Sequence, residues 1–195
     1  LAVGYIQVPG GALPVPLSDT VRALRDASYL ETTVAVGPCF GGEVACVSTA
    51  SALVTCARAG LDAVVCAIGP GIVGTGSRYG HGALAAAEAA NAAGALGGSP
   101  ILAPRVSAVD ERVRHRGLSH HTLATLELVR SATVAWPQGL EVPHELGPVE
   151  TVDASGWREA CDGLTLSHMG RGPDEEPWFF AAAYAAGLLA RARAA

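Results

Sequence analysis

No lysine occurs anywhere in the 195 residues, so all 13 basic side chains are arginine. A lysine Schiff base, a P-loop lysine and a lysine general base are therefore excluded, and any anion must be held by guanidinium or backbone N–H groups. GC-rich coding is enough to explain the absence itself. Aromatic residues are scarce at 5% while half the chain is apolar, so the core has to be built from Ala, Val and Leu at close range. Charge is also sparse: 16% of residues are charged and the net charge is -5. That balance offers no electrostatic footprint for nucleic acid or an anionic membrane. The five cysteines include no C-x-x-C pair, which removes a zinc clamp and a disulfide framework. They read as small core residues in a reducing, cytoplasmic compartment. No segment has the form of a signal peptide, and the apolar run near Ala181 is short and interrupted by Tyr184 and Gly187. No Gly-x-Ser-x-Gly occurs, so a nucleophile elbow is not expected.

What is present suits a single α/β domain over residues 1–195, long enough to bury about 70% of the surface an unfolded chain exposes. The chain opens at Leu1 directly into an apolar strand pattern, which reads as a fragment or processed form lacking an upstream segment. Strands are expected at Ala2–Val8, Thr32–Val36, Asp62–Ile68, Ile101–Val106 and Thr133–Trp136, with an edge strand at Leu164–His168. Helical patterns lie between them: one carrying Val21, Leu24 and Ala27, a small-residue helix at Cys46–Ala59, and an Ala-rich helix at Gly82–Leu96. Ser119 is placed to N-cap a helix running to about Arg130. A short helix is expected around Trp157 and a final one from about Pro177. This alternation implies right-handed crossovers and a three-layer fold, a mostly parallel sheet with helices on both faces in a Rossmann-like or flavodoxin-like winding. The five surest strands are expected in one sheet, with functional loops at its carboxyl edge.

Two loops carry the chemistry. Gly69, Gly71 and Gly74 satisfy G-x-G-x-x-G after a strand, and Thr75, Gly76 and Arg78 add donors, so the loop is a candidate cradle for a phosphate or carboxylate. Dinucleotide binding is the weaker alternative, because Pro70 stiffens the loop and two strand-helix units precede it. The second loop is Arg112-Val113-Arg114-His115-Arg116-Gly117-Leu118-Ser119-His120-His121-Thr122. It combines fork-shaped cations, imidazoles and a helix N-terminus, a natural set for anion recognition with acid-base chemistry. His115, His120 and His121 are the candidate catalytic groups; Arg114, Arg116 and Arg171 of Met169-Gly170-Arg171 are candidate ligand contacts. Phe40-Gly41-Gly42-Glu43 offers a carboxylate, though a helix-start glutamate is the commoner reading. No metal is assigned. His120 and His121 are adjacent and should diverge on a helix, leaving His115 with one of them and Asp110 as the conceivable ligand set.

The strings Phe40-Gly41-Gly42-Glu43, Gly69-Pro70-Gly71-Ile72-Val73-Gly74-Thr75-Gly76, Arg114-His115-Arg116-Gly117-Leu118-Ser119-His120-His121-Thr122 and Met169-Gly170-Arg171, in this order, resemble the bacterial domain-of-unknown-function family 3866. The resemblance spans essentially the whole chain and implies an additional upstream β-rich segment. The chain departs from the family pattern at Pro38-Cys39 and across Ser77-Arg78-Tyr79-Gly80-His81. The family name implies no activity. The expected function is that of an enzyme or enzyme-like domain binding a small anionic, phosphate- or carboxylate-bearing metabolite at the carboxyl ends of the strands. A non-catalytic ligand sensor or protein-interaction domain is the alternative. No cofactor is identified, neither a nucleic-acid nor a membrane partner is expected, and a homo-oligomer is left open.

Overall fold

The computed structural model describes residues 1–146 and 148–195. Its first half contains four strands, β1 (Val3–Gln7), β2 (Thr32–Val36), β3 (Val44–Cys46) and β4 (Ala63–Ala67), in the parallel order β3-β2-β1-β4. Period-2 alternation decides the packing. Ile6, Val8, Val34 and Val36 meet Ala52 and Cys56 of α2 (Thr49–Arg58) and Ala89 of α3 (Ala85–Ala95). Tyr5 and Ala35, pointing the other way, meet Val21 of α1 (Asp19–Asp26). Ser18 caps α1 by accepting from the Val21 N–H, and Ser48 forms a capping box with Ser51 on α2.

The expected helix at Cys46–Ala59 starts later than its small-residue pattern suggested. Val44 to Cys46 extends first as a strand paired with β2, and the helix begins only after Ser48.

The second half departs further from expectation. Its strands do not join the first sheet; β5 (Ile101–Leu102), β8 (Thr133–Pro137) and β9 (Val149–Val152) form a separate parallel sheet of order β5-β8-β9. One continuous five-strand sheet is thus overturned. The expected strand Ile101–Val106 is broken at Pro104, which lacks an N–H for the ladder. Beyond it, β6 (Val106–Ser107) pairs antiparallel with β7 (Gly117–Leu118) as a small ribbon. Leu164–His168 is not a strand: only an isolated bridge links His168 to Arg171, where the chain reverses through Met169 and Gly170 at positive φ. β9 adds a parallel edge strand beside β8. On one face of this sheet lies α6 (Pro177–Ala194), whose Ala181, Ala185 and Leu189 pack with Ala135 and with Trp157 of α5 (Trp157–Ala160). The other face buries Val134 and Trp136 against Val106 and Leu146, with Leu126 of α4 (His120–Leu128) packed beside them.

The two halves meet where α4 lies against the turn Gly82–Leu84. Thr125 donates to the Ala83 carbonyl at 3.3 Å. Asn91 of α3 closes the far end of α4, donating to Leu128 O at 3.0 Å and accepting from Arg130 N at 2.8 Å. At the near end, the turn after β1 presses on the chain after β4: a Cβ at Gly10 would sit 2.6 Å from the Gly82 carbonyl oxygen, and one at Gly82 would sit 2.0 Å from that of Gly10. Only glycine tolerates such backbone contact.

Candidate functional site

β1 is flanked by β2 on one side and β4 on the other, so the strand order reverses beside it and the turns after β1 and β4 emerge together. The glycine loop after β4 is tied down along its length. Ile72 bridges Gly11, Val73 N donates to Gly10 O at 3.1 Å, and Gly82 N donates to Val73 O at 2.8 Å. Thr75 uses both polar groups inside the loop: its N–H donates to Gly80 O at 2.6 Å, and its hydroxyl reaches Ser77 Oγ at 3.0 Å. Gly74 pairs with His81 as an antiparallel bridge. Gly69 and Gly71 supply the positive-φ turns, and Gly76 sits at an exposed bend. The loop thereby delivers His81 to the junction of the halves, 7% exposed.

From the other half come three more histidines. Ser119 caps α4 as expected, accepting from His121 N at 3.2 Å, and this places His120 and His121 in the first turn. Their rings do not diverge: the centroids lie 4.4 Å apart, and both face His81, at 5.4 Å from His120 and 4.1 Å from His121. One ring nitrogen from each of His81, His120 and His121 falls within 4.8 Å of the others. Both ring nitrogens of His81 and Nε2 of His120 are buried and have no hydrogen-bond partner among the described residues.

The fourth ring, His115, is 4.7 Å from each of His120 and His121, centroid to centroid. Its Nδ1 lies 2.7 Å from Ser119 Oγ, which already accepts from His121 N and, at 3.4 Å, from Arg105. With both lone pairs so engaged, the Ser119 proton is directed at His115 Nδ1, and the neutral ring carries its proton on Nε2.

The surroundings of His115, His120 and His121 disfavour the charged form of each ring. Burial lowers the pKa of His115 to about 4, helped by Arg105 and Arg112. Burial and the neighbouring imidazoles take His121 to about 3. His120 is lowered by burial first, then by His81 and Arg114. Nearby arginines act in the same direction on all three rings, but loss of solvent is the larger cause.

Beside the histidines runs a buried network of charge. Asp110, 1% exposed, accepts from Arg112 through Oδ1 at 3.0 Å, from Arg105 through Oδ2 at 2.7 Å, and from Arg171 at 3.4 Å. Arg112 above all, then Arg105, holds its carboxyl well below the usual carboxylate range. Glu176, also 1% exposed, accepts from Arg171 Nε at 2.8 Å and from the Ser107 hydroxyl. Arg105 further meets His168 Nε2 at 3.1 Å, and that ring stacks on Phe179 at 3.8 Å. The set of His115, one neighbour and Asp110 that spacing left open as a ligand group is not formed, because guanidiniums occupy the carboxylate.

Arg116 donates to the Asp110 carbonyl at 3.3 Å and Arg114 is exposed on the same loop, so both stay on the rim. Arg78 turns outward to Glu127 of α4 and is exposed. Glu43 accepts from the Thr33 N–H at 2.9 Å and pairs with Arg25, a structural post at β2 far in sequence from the histidines. The residues missed from sequence are His81, Arg105, Ser107, His168 and Glu176. His81 and His168 carried a signal, since both lie just after expected strands or their loops, as do His115, His120 and His121.

A family model described as a protein of unknown function (DUF3866) matches residues 1–187. No curated protein and no solved structure matches the chain.

Proposed function

This chain belongs to the DUF3866 family, and from that membership, which carries no activity, we propose that it binds a small anionic, phosphate- or carboxylate-bearing metabolite beside the histidine cluster. The observation that carries the reading is the crowding of Arg105, Arg112, Arg114, Arg116 and Arg171 around one spot, where they outnumber Asp110, Glu111 and Glu176. Guanidiniums held in a fixed array by buried carboxylates are pre-organised for an anion, since little rotamer entropy remains to be lost. The first sheet is read as a Rossmann-like half, with the ligand at the reversal of strand order beside β1. Arg114 and Arg116 on the rim make the first contact, and the neutral His115 Nε2–H adds a donor that does not need to be charged. The arrangement is enzyme-like rather than a bare receptor, because His120 and His121 present unshared lone pairs next to the anion.

Thermal unfolding at constant ionic strength, with inorganic phosphate and with small mono- and dicarboxylates, tests this. A ligand present at about 100 times its Kd stabilises by about 2.7 kcal/mol. At least one anion should raise Tm, and the double variant R114A/R116A should lose most of the rise while keeping its unliganded Tm. No shift with any of these anions, or an undiminished shift in the double variant, overturns the reading.

A further inference from the structure

Three imidazoles that converge without hydrogen-bond partners are an unusual interior. A buried polar nitrogen left without a partner costs about 1–3 kcal/mol, and here three such nitrogens occur on two adjacent rings. Water, an anion or a cation could meet them. An anion directly on these nitrogens is disfavoured, because an imidazole nitrogen without a proton accepts and has nothing to donate to it. A single cation instead accepts one lone pair from each of the three rings, whose nearest nitrogens lie within 4.8 Å of one another.

We propose that His81, His120 and His121 ligate one divalent transition-metal ion of the zinc type. The proposal rests on reading this cluster as the functional site, but it does not need the anion. Nitrogens no more than 4.8 Å apart leave a point at their centre within about 2.8 Å of each, so reaching a metal–nitrogen length of about 2.0–2.1 Å takes a contraction of about 0.7 Å per ring. Rotation of the His121 ring, now stacked on His81, supplies part of that movement. Imidazole-only ligation selects zinc, copper, nickel or iron over calcium or magnesium, which demand oxygen. Asp110, the nearest buried carboxylate of the loop, cannot alter that choice while three arginines hold it.

His115 stays outside the ligand set. The serine bond that fixes its proton on Nε2 leaves no lone pair for a metal on that nitrogen, so it stands beside the ion as a donor. Three protein nitrogens then leave a fourth position open, the ligand count of catalytic rather than purely structural zinc. The open position and the arginine rim together fit the proposed ligand: one of its oxygens on the metal, its remaining charge on guanidinium.

The full chain, stripped with chelator, is titrated with cobalt(II) as a spectroscopic probe and then with zinc. The expected result is one equivalent of cobalt with tetrahedral ligand-field absorption, displaced stoichiometrically by zinc. H81Q, H120Q and H121Q should each weaken binding by at least about 100-fold, whereas H144Q, at an exposed histidine elsewhere, should not change it. Because H81Q removes a buried ring and can unfold the loop, nitrogen-detected NMR of the wild-type histidines gives an independent readout. Zinc should shift the ring signals of His81, His120 and His121 and leave that of His144 in place. Absence of cobalt absorption, wild-type affinity in H120Q and H121Q, or zinc shifts confined to other histidines overturns the inference. Phosphate stabilisation measured on stripped and zinc-loaded chain separates the two readings: phosphate binding without zinc binding removes this one alone, and zinc binding without phosphate binding removes the other alone.

Discussion

Around β1 and β2, what lies buried is mainly Tyr5, Ile6, Val34, Ala35 and Val36; the buried polar groups Gln7 and Thr33 find partners close by, Gln7 on the Leu13 carbonyl at 2.8 Å and Thr33 on the Glu43 N–H at 3.2 Å. Beside the three-stranded sheet, the same degree of burial is given to Asp110, Glu176, Ser107, Ser119 and His115. Both regions exclude water, but by different means. The first does so by apolar area, which is non-directional and forgiving; the second does so by a network in which every member needs its partner. The difference teaches where function can be housed: a fixed set of buried charges resists rearrangement, and that rigidity holds the histidines in place.

The comparison breaks most readily at Asp110. D110A leaves Arg105, Arg112 and Arg171 without their shared carboxylate, and a loss of about 3–5 kcal/mol is expected in urea unfolding. A loss below about 1 kcal/mol would mean that the network is ornament and both halves stand on apolar packing. The next effect is one of pH. Burial first, then Arg105 and Arg171, lowers His168 to about 4, so the unfolded chain binds its proton more readily between there and about 6.5. The resulting stability is complete above pH 6.5 and is lost as pH falls through that window, by at most about 3 kcal/mol. Proton NMR should find the His168 ring titrating near 4; a value at or above 6.5 would remove the pH sensitivity assigned to this region.

On the apolar side, V34A removes two buried methyl groups and should cost about 2 kcal/mol, equally at pH 7 and pH 5. If its cost grew markedly at pH 5, the two regions would not be independent. The smallest change is expected from R25A, because the Arg25–Glu43 pair lies at the surface with its side chains 33% and 48% exposed, and solvent-screened pairs contribute about 0–1 kcal/mol. Denaturant midpoints for wild type and R25A should nearly coincide, and high salt should erase what difference there is.

How far the sequence foretold each region follows from the same contrast. Thr32–Val36 was legible to the residue because a β-branched, period-2 run has one low-energy use, and Ser119 was legible as a cap because the geometry of an N-cap is local. The two-sheet division was not legible, since strand partners are chosen by packing between segments and a run such as Ile101–Val106 does not announce that Pro104 will divide it between a sheet and a ribbon. Of the site, His115, His120 and His121 stood out by density alone. His81 did not, because 39 positions separate it from His120 and only the fold closes that distance. Glu176 and Arg105 look like ordinary surface charges in sequence; the burial of Glu176 and the half-burial of Arg105 against Asp110 are tertiary facts.

The contact between Gly10 and Gly82 has a genetic consequence. Neither position bears any chemistry, and each lies well away in sequence from the paired histidines of α4. Yet a single added methyl at either one would enter the other's peptide plane, at 2.6 Å or 2.0 Å from a carbonyl oxygen, and the strand ends would have to part. Residue 82 is the immediate neighbour of His81, so the displacement would fall first on that ring. A missense change in either glycine codon should therefore behave in a genetic screen like the loss of a histidine, leaving a folded protein with an intact α4 and an empty place where its third imidazole belongs.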